Sequence, residues 1–374
     1  MPFTWPIARW LTQPWEWLVD VFSRFVLGIP PPPHIFTGSG DTTWHYVQLL
    51  VLVSMTLLGT VVWTVIDRRR KRTEYPRLAA AMQVALRYYL ATVMIGYGMA
   101  KVLPVQFPPP WVGRYDGSIG DMSPMGLLWT FMGHSGPYTF VAGLAEIVGA
   151  VLLFWRRTSL LGALVLAGVL VNIVLLNFCY DVPVKLFSTE LLLVTIALIY
   201  PHRWRLLGAV LGYGAPPMPL RPRISFLGER MRGIAKYSFI SVVLVTCVVM
   251  YSERHALRPA PSAIHGVWSV ETFVLDGVEH PPLLTDDVRW RKLIVAERGI
   301  QIRFTTDRRA FHRLARVDDT ARTVRLGARV FAYELAGDRL VLADDTLRVV
   351  LVRDREPLLK TRGFHWIQEF PFNR

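Results

Sequence analysis

The polar stretch Asn177-Phe-Cys-Tyr-Asp-Val-Pro-Val-Lys-Leu-Phe-Ser-Thr-Glu190 joins two strongly apolar segments. These segments, 160–178 and 186–200, approach the length that crosses a bilayer as a helix. The stretch between them is therefore predicted to lie at or just inside a membrane boundary. Polar groups at that depth are costly, and they mark sites with a structural or functional purpose.

The composition is typical of a membrane protein with several spans. Of the 374 residues, 52% are hydrophobic, and the apolar residues come in blocks. The net charge is +14, of which only +3 lies from Pro261 onward, so the apolar part carries the remaining +11. Such a surplus is typical of the basic cytoplasmic loops of membrane proteins. Because the charge is not gathered on a soluble fold, nucleic-acid binding is not expected.

Six apolar segments are predicted to cross the membrane as helices. The predicted spans are 47–66, 83–102, 138–155, 160–178, 186–200 and 233–252. Basic clusters at 67–72, at 156–157 and after Tyr200 mark their cytoplasmic ends. With six spans, both termini and the region after the last span lie outside the cytoplasm. The predicted location is the bacterial inner membrane.

An N-terminal segment, 1–43, precedes the first clear span. Within it, Trp15–Ile29 is amphipathic and charged, which favours an interfacial helix with a tryptophan belt. The alternative is that this segment crosses the membrane as an additional span, which would place the N-terminus in the cytoplasm and change nothing else. Pro30–Pro33 ends either kind of helix.

After the last span the pattern changes from helix to strand. About eight short runs rich in Val, Ile, Leu and Phe follow one another, separated by turn signals such as Asp276-Gly277 and Gly337-Asp338. They predict a small antiparallel barrel, either filled by side chains or holding one small ligand. The predicted domains are the N-terminal segment 1–43, the transmembrane domain 44–258, the extracytoplasmic barrel 263–360 and the aromatic tail 361–374.

Polar side chains near the outer ends of the spans form the candidate site. Small residues such as Gly143 and Gly149 share the helix face of Glu146, so this acid is predicted to point into the bundle. A buried acid needs a partner, and the candidate cations are Lys101, Lys185 and Arg87. The residues predicted to line an outward-facing pocket are Lys101, Glu146, Asn177, Asp181, Lys185 and Glu190. A purely structural role, in which they only hold helices together, is the alternative.

Redox and metal chemistry are constrained by the cysteines and histidines. Cys179 and Cys247 fall in the outer halves of their spans and form a candidate redox pair, with two free thiols as the alternative. None of the nine histidines lies inside a span, so an intramembrane haem with histidine ligands is not expected. No CxxC spacing indicates a metal site, and none is predicted.

Several motifs resemble those of the DoxX-like membrane proteins, over about residues 80–205. They are Gly96-Tyr-Gly-Met-Ala-Lys101, Gln106-Phe-Pro-Pro109, Ser123-Pro-Met-Gly-Leu-Leu-Trp-Thr-Phe-Met-Gly133, Glu146 and Asp181-Val-Pro-Val-Lys185. The resemblance implies a four-helix membrane core. Some members of that superfamily are linked to quinone-coupled sulfur oxidation and others to the maturation of secreted cofactor enzymes. Separately, Gly266-x-Trp268 and the strand count resemble lipocalin-like domains.

The sequence therefore predicts an α-helical polytopic membrane bundle of about six spans with a DoxX-like core, followed by an all-β antiparallel lipocalin-like barrel. The leading functional hypothesis is an outward pocket that binds a quinone or another lipophilic molecule, as in a membrane oxidoreductase subunit. The alternative is a non-enzymatic accessory protein whose barrel binds a membrane protein partner. A transporter is less favoured because no inverted repeat is seen.

Overall fold

The computed structural model describes residues 5–35, 37–70, 75–213, 229–256, 260–297, 299–313 and 315–372. The chain divides into two compact units. The helical unit comprises Met1–Leu103 and Pro137–Met250, and the barrel unit comprises Pro104–Gly136 and Tyr251–Arg374. This grouping differs from the predicted division near residue 260, because residues 104–136 belong with the barrel rather than with the helices.

The α-helices of the described residues alternate with short turns. They are α1 (Trp5–Phe22), α2 (Thr43–Arg70), α3 (Pro76–Val102), α4 (Val112–Tyr115), α5 (Pro124–His134), α6 (Gly136–Leu153), α7 (Ser159–Cys179), α8 (Lys185–Ile199), α9 (Arg203–Val210), α10 (Glu229–Ala256) and α11 (Leu358–Thr361).

Among the described residues, five helices are long and apolar enough to span a membrane. They are Thr43–Arg68, Pro76–Val102, Gly136–Leu153, Ser159–Cys179 and Gly233–Ala256. Apolar side chains along α2 and α10 are largely exposed, which is the arrangement that helices facing lipid require. The protein is therefore an integral membrane protein, as its composition predicts.

The fifth predicted span, 186–200, forms α8, which has only 15 residues. This is shorter than the roughly 20 residues of a full crossing. A turn of 3-10 helix at Tyr200–His202 then leads into α9. Because α8 packs along both α7 and α3, it belongs to the core of the helical unit.

The N-terminal amphipathic run is helical from Trp5, and its apolar face packs on the start of α2. Val19, Trp44, Val47 and Val51 form a small buried cluster there. A π-helical turn at Ser23–Leu27 ends the helix before the proline run.

The C-terminal region forms one antiparallel sheet. Its strands are β1 (Gly266–Leu275), β2 (Val278–Glu279), β3 (Trp290–Ala296), β4 (Gly299–Phe304), β5 (Arg309–His312), β6 (Arg316–Asp318), β7 (Thr323–Leu326), β8 (Arg329–Ala336), β9 (Arg339–Ala343) and β10 (Leu347–Arg353). All eight predicted strands are formed, and the short β2 and β6 are additional. The path through the sheet is β5-β4-β3-β1-β10-β9-β8-β7-β6, and β2 pairs with β1.

The two edges of this sheet, β5 and β6, are joined by only three residues, 313–315. Since consecutive Cα atoms are 3.8 Å apart, the edges lie within about 15 Å of each other. The sheet therefore curls into an up-and-down barrel. One apolar cluster occupies its interior, with Phe273 and Phe331 both packed against Trp290.

Trp268 is fully buried at the start of β1. Its Nε1 donates to the carbonyl oxygen of Ile264 at 2.8 Å, and the guanidinium of Arg353 lies 4.3 Å from its ring centre. Gly266 has a φ of +141°, which a residue with a side chain rarely adopts. The glycine and the tryptophan of the Gly-x-Trp motif thus have separate structural roles.

Residues 104–136, which we name the cover segment, lie against the outer face of the barrel. The side chains of Ile300 and Ile302 point into the barrel core, so Gln301 and Arg303 point outward. Both outward side chains are nevertheless buried, because α4 of the cover segment packs on the neighbouring strands β1 and β3. In an isolated barrel this face would be exposed to water.

Ion pairs fix the cover segment to the barrel. Asp116 accepts a hydrogen bond from Lys292 at 2.6 Å, and its other carboxylate oxygen forms an ion pair with Arg303 at 2.9 Å. Lys292 also donates to Asp354 at 2.6 Å, so these charges form one partly buried network. An exposed pair, Arg309 with Asp121, adds a second link at 2.7 Å.

Candidate functional site

A closed ion pair connects α3 and α6 inside the helical unit. Lys101 Nζ lies 2.7 Å from Oε1 and 3.0 Å from Oε2 of Glu146. The predicted burial of Glu146 is confirmed, since its side chain is 2% exposed and that of Lys101 is 7% exposed. Of the three candidate cations, the structure therefore selects Lys101. The ring of Tyr97, centred 5.8 Å from Nζ, adds a weak cation–π contact.

Two glycines allow this pair to form. A Cβ atom at Gly98 would lie 2.7 Å from the carbonyl oxygen of Gly143, and one at Gly143 would lie 2.6 Å from the carbonyl oxygen of Gly98. No real Cβ tolerates such contacts, so the backbones of α3 and α6 approach each other only because both residues are glycine. The short separation brings Lys101 within reach of Glu146.

Arg87, a second candidate cation, has a different partner. Its buried guanidinium donates through Nε, at 2.8 Å, and through Nη2 to the carbonyl oxygen of Leu153. This carbonyl belongs to the last turn of α6, where backbone oxygens have no partner within the helix. Arg87 therefore caps α6 and does not reach the acid.

The stretch Asn177–Glu190 forms the turn between α7 and α8. The backbone N–H of Val182 donates to the carbonyl oxygen of Asn177 at 2.9 Å, and Asp181 adopts a left-handed φ of +51°. Lys185 Nζ lies 2.8 Å from the exposed carboxylate of Asp181. The polar residues of this stretch thus first serve to build a tight hairpin turn.

Asp41, which is not among the predicted site residues, also holds this turn. Its only sequence signal is its position shortly before the predicted span 47–66. Its carboxylate accepts from the backbone N–H groups of Lys185 at 2.8 Å and of Leu186 at 3.0 Å. These are orphan donors at the start of α8, where a carboxylate also complements the helix dipole. Gly40 N–H donates to the carbonyl oxygen of Pro183 at 2.8 Å and completes the attachment.

The remaining candidate residues are not gathered around the ion pair by any direct contact that the structure describes. Glu190 is exposed and accepts from the hydroxyl of Tyr89 at 2.9 Å. Cys179 is an exposed free thiol, and Cys247 is a buried free thiol. The predicted redox pair and the predicted six-residue pocket both remain predictions.

Asn177 is different, because it is buried and only partly satisfied. It lies near the C-terminal end of α7, and the residue is 6% exposed. The amide nitrogen Nδ2 has no hydrogen-bond partner among the described residues. A buried donor without an acceptor costs about 1–3 kcal/mol, so a polar group in this position calls for an explanation.

Taken together, helices of membrane-spanning length and an attached antiparallel barrel define an integral membrane protein with a barrel domain. A 130-residue segment, 34% of this chain, is 35% identical to the uncharacterized protein YwoB of Bacillus subtilis (strain 168) and covers 81% of that protein. The chain therefore belongs to the same family as YwoB. No family model and no solved structure matches it.

Proposed function

We propose that this protein is a DoxX-like protein of the bacterial inner membrane that binds a lipophilic, quinone-like molecule at the outer end of its helical unit. The motifs described above support the DoxX-like assignment. The basic clusters after the first, third and fifth predicted spans support the orientation. In that orientation the hairpin turn at 177–190 and the barrel unit are both extracytoplasmic.

The common packing of the cover segment and the barrel supports the same topology. The cover segment connects α3 to α6, and the barrel follows α10. Because both belong to one compact unit, they lie on the same side of the membrane. This is the arrangement expected if α6, α7, α8 and α10 each cross the membrane, because four crossings return the chain to the side on which the cover segment lies.

The observation that carries the proposed ligand is the unpartnered amide of Asn177. Among the other candidate residues, Lys185 is paired with Asp181 and Lys101 with Glu146, so the amide nitrogen of Asn177 is the donor that a ligand would satisfy. A quinone offers the matching group, since its ring is apolar and its carbonyl oxygens accept hydrogen bonds.

The proposal is tested by quinone binding to Asn177→Leu. Added ubiquinone-1 is expected to raise the thermal unfolding midpoint of the wild-type protein in detergent, because a ligand that binds the folded state stabilises it. The shift is expected to be lost in Asn177→Leu. Lipid extracts of the purified wild-type protein are expected to contain a quinone that extracts of the variant lack.

Asn172→Leu is the matched control, because Asn172 lies on the same helix with an exposed side chain. It is expected to bind quinone like the wild type. If no quinone co-purifies and added ubiquinone-1 does not move the wild-type midpoint, the quinone-binding function is wrong.

A second candidate function is favoured by the aromatic tail. Phe364, Trp366, Ile367 and Phe370 are each more than three-quarters exposed. Exposed apolar side chains in this number are typical of a surface that binds something else. The tail therefore supports an accessory protein whose barrel unit binds a membrane protein partner.

Photo-crosslinking in cells distinguishes this second function. A photoreactive amino acid at position 366 is expected to give one protein adduct of defined mass, and the adduct is expected to disappear with Phe370→Ala. The same probe at the exposed Val278 is the control. Adducts with lipid alone would exclude the partner protein.

A further inference from the structure

A cleft opens on the barrel unit, between the cover segment and the outer face of the barrel. Its volume is about 600 Å³, within the range of sites for small molecules. One wall is formed by Pro108–Trp111 and by α5, and the other by β4 and β5. The cleft is separate from the barrel interior, which its own side chains occupy.

Glycines in the cover segment shape the first wall. A Cβ atom at Gly133 would lie 2.3 Å from the carbonyl oxygen of Pro108, so only glycine lets α5 approach the proline run. A Cβ atom at Gly113 would collide with the ring of Trp111, at 2.1 Å. The backbone is thus adapted to hold Trp111 and the prolines in place.

Aromatic rings line both walls of the cleft. Trp111 and Phe311 come from opposite walls and make an edge contact, with their ring centres 6.2 Å apart and their planes at 65°. Trp129 is held from behind by an edge contact with Phe107, at 5.0 Å. Phe311 is 48% exposed, so its ring is available to a ligand. Such walls bind flat apolar or aromatic groups.

The polar groups of the cleft are mostly uncommitted donors. The guanidinium of Arg114, the amide of Gln301 and the indole N–H groups of Trp111 and Trp129 have no side-chain hydrogen bond or ion pair among the described residues. The carboxylate of Glu297, the acidic residue of the lining, lies 3.3 Å from Nε2 of His265. The cleft therefore combines aromatic walls with an available cation and a surplus of hydrogen-bond donors.

From this geometry we infer that the cleft binds a flat aromatic molecule that carries a carboxylate. The ring would lie against Trp111 and Phe311, and the carboxylate would accept two hydrogen bonds from the guanidinium of Arg114. Arginine suits this role because its planar fork matches the two oxygens of a carboxylate. The amide of Gln301 provides a further donor. This site is independent of the proposed quinone site in the helical unit.

The inference is tested by titrating full-length protein in lipid nanodiscs with 2-naphthoate and measuring the heat of binding. Saturable one-site binding is expected, with a dissociation constant below about 1 mM. Arg114→Met is expected to weaken it at least about tenfold, because a charge-assisted bond is lost. Arg114→Lys is expected to retain part of the affinity. Phe311→Ala, at a half-exposed position, is also expected to weaken binding.

Two controls show whether the cleft is the site. Arg325→Met removes an exposed arginine that does not line the cleft, and it is expected to leave binding unchanged. The neutral 2-naphthamide is expected to bind more weakly than 2-naphthoate and to be insensitive to Arg114→Met. Absence of saturable binding beyond that of empty nanodiscs overturns the inference, and so does equal affinity in the wild type, Arg114→Met and Phe311→Ala.

Discussion

Single residues decide how this protein keeps charge inside an apolar environment. Lys101 and Glu146 are both almost fully buried, and each supplies a full charge of opposite sign to the other. A buried pair contributes little net stability compared with apolar residues, but removing one partner leaves an uncompensated charge. The same residues could also serve a ligand, and substitution separates these two roles.

Glu146→Gln is expected to destabilise the protein by about 3 kcal/mol, because it leaves the Lys101 ammonium buried without its counter-charge. The double variant Lys101→Met with Glu146→Leu is expected to recover most of that loss. Chemical denaturation in detergent measures both. Glu190→Gln, which changes an exposed acid, is the control and is expected to cost less than about 1 kcal/mol.

The double variant also tests the role in ligand binding. If it keeps its stability and still binds ubiquinone-1, the ion pair only holds α3 and α6 together. If it keeps its stability and loses quinone binding, the pair belongs to the site. A double variant no more stable than Glu146→Gln would contradict the view that the buried charge causes the loss.

In the barrel unit, Asp286 predicts a pH dependence of stability. The hydrogen bond from His280 at 2.7 Å, together with the backbone N–H groups of Arg289 and Val288, lowers the pKa of Asp286 to about 2. A pKa that is lower in the folded state stabilises the fold above the ordinary aspartate pKa of about 3.9, and this contribution is lost as the pH falls through 2.

Asp286→Asn is therefore expected to lower the thermal midpoint at pH 5, and the difference from the wild type is expected to shrink as the pH approaches 2. Asp287→Asn changes the neighbouring exposed aspartate and is expected to follow the wild type at every pH. A difference for Asp286→Asn that stays constant from pH 5 to pH 2 would show that the carboxylate charge is not responsible.

At the scale of elements, the helical unit is held together by small residues at its closest contacts. α3 meets α6 at Gly98 and Gly143, and α6 meets α7 where Gly162 lies against the carbonyl oxygen of Gly149. Helices in lipid gain little from burying apolar side chains, so close backbone packing contributes more to their association. The positions of these glycines therefore determine which helices pair.

Gly98→Leu is expected to separate α3 from α6, because its Cβ would lie 2.6 Å from Cγ1 of Ile147 and 2.7 Å from the carbonyl oxygen of Gly143. The expected cost is about 3 kcal/mol or more, beyond the usual range for overpacking, since one contact is with backbone. Denaturation in detergent measures it. Gly96→Leu, two residues away with open space around it, is expected to be close to neutral. An equal loss of stability in Gly98→Leu and Gly96→Leu would show that the close contact between α3 and α6 is not the reason why glycine is needed at position 98.

At the scale of the whole molecule, the cover segment is a second connection between the helical part of the chain and the barrel, besides the one after α10. It leaves the helical unit at Pro104 and returns at Gly136, and between these residues it buries one outer face of the barrel. The chain thus passes between the helical unit and the barrel unit at three places, after residues 103, 136 and 250, rather than through one linker. The partly buried network around Asp116 is one of the polar links between the cover segment and the barrel.

Asp116→Ala is expected to release the cover segment and to destabilise the barrel unit by about 3 kcal/mol, because Lys292 and Arg303 lose a shared partner. Limited proteolysis of the full-length protein is expected to show new cleavage between residues 104 and 136. Asp121→Ala breaks only the exposed pair with Arg309, and it is expected to change stability by less than about 1 kcal/mol. Cleavage that is the same in both variants would show that the Asp116 network does not fix the segment.

The sequence by itself determined the class of protein, the main helices and the barrel. Apolar blocks of spanning length and the alternation of Val, Leu and Phe between turn residues are local patterns, so α2, α3, α6, α7 and α10 and all eight predicted strands could be located from them. The burial of Glu146 could also be predicted, because the small residues on its face lie within one turn of it.

Only the tertiary structure decided which charged groups meet. Three cations were candidates for Glu146, and the close approach of α3 and α6 at two glycines selected Lys101. Asp41 reaches the turn at 177–190 across 144 residues of sequence, and the cover segment lies on a barrel that begins 130 residues after it ends. Such contacts depend on how distant segments pack, and periodicity within a segment carries no information about them.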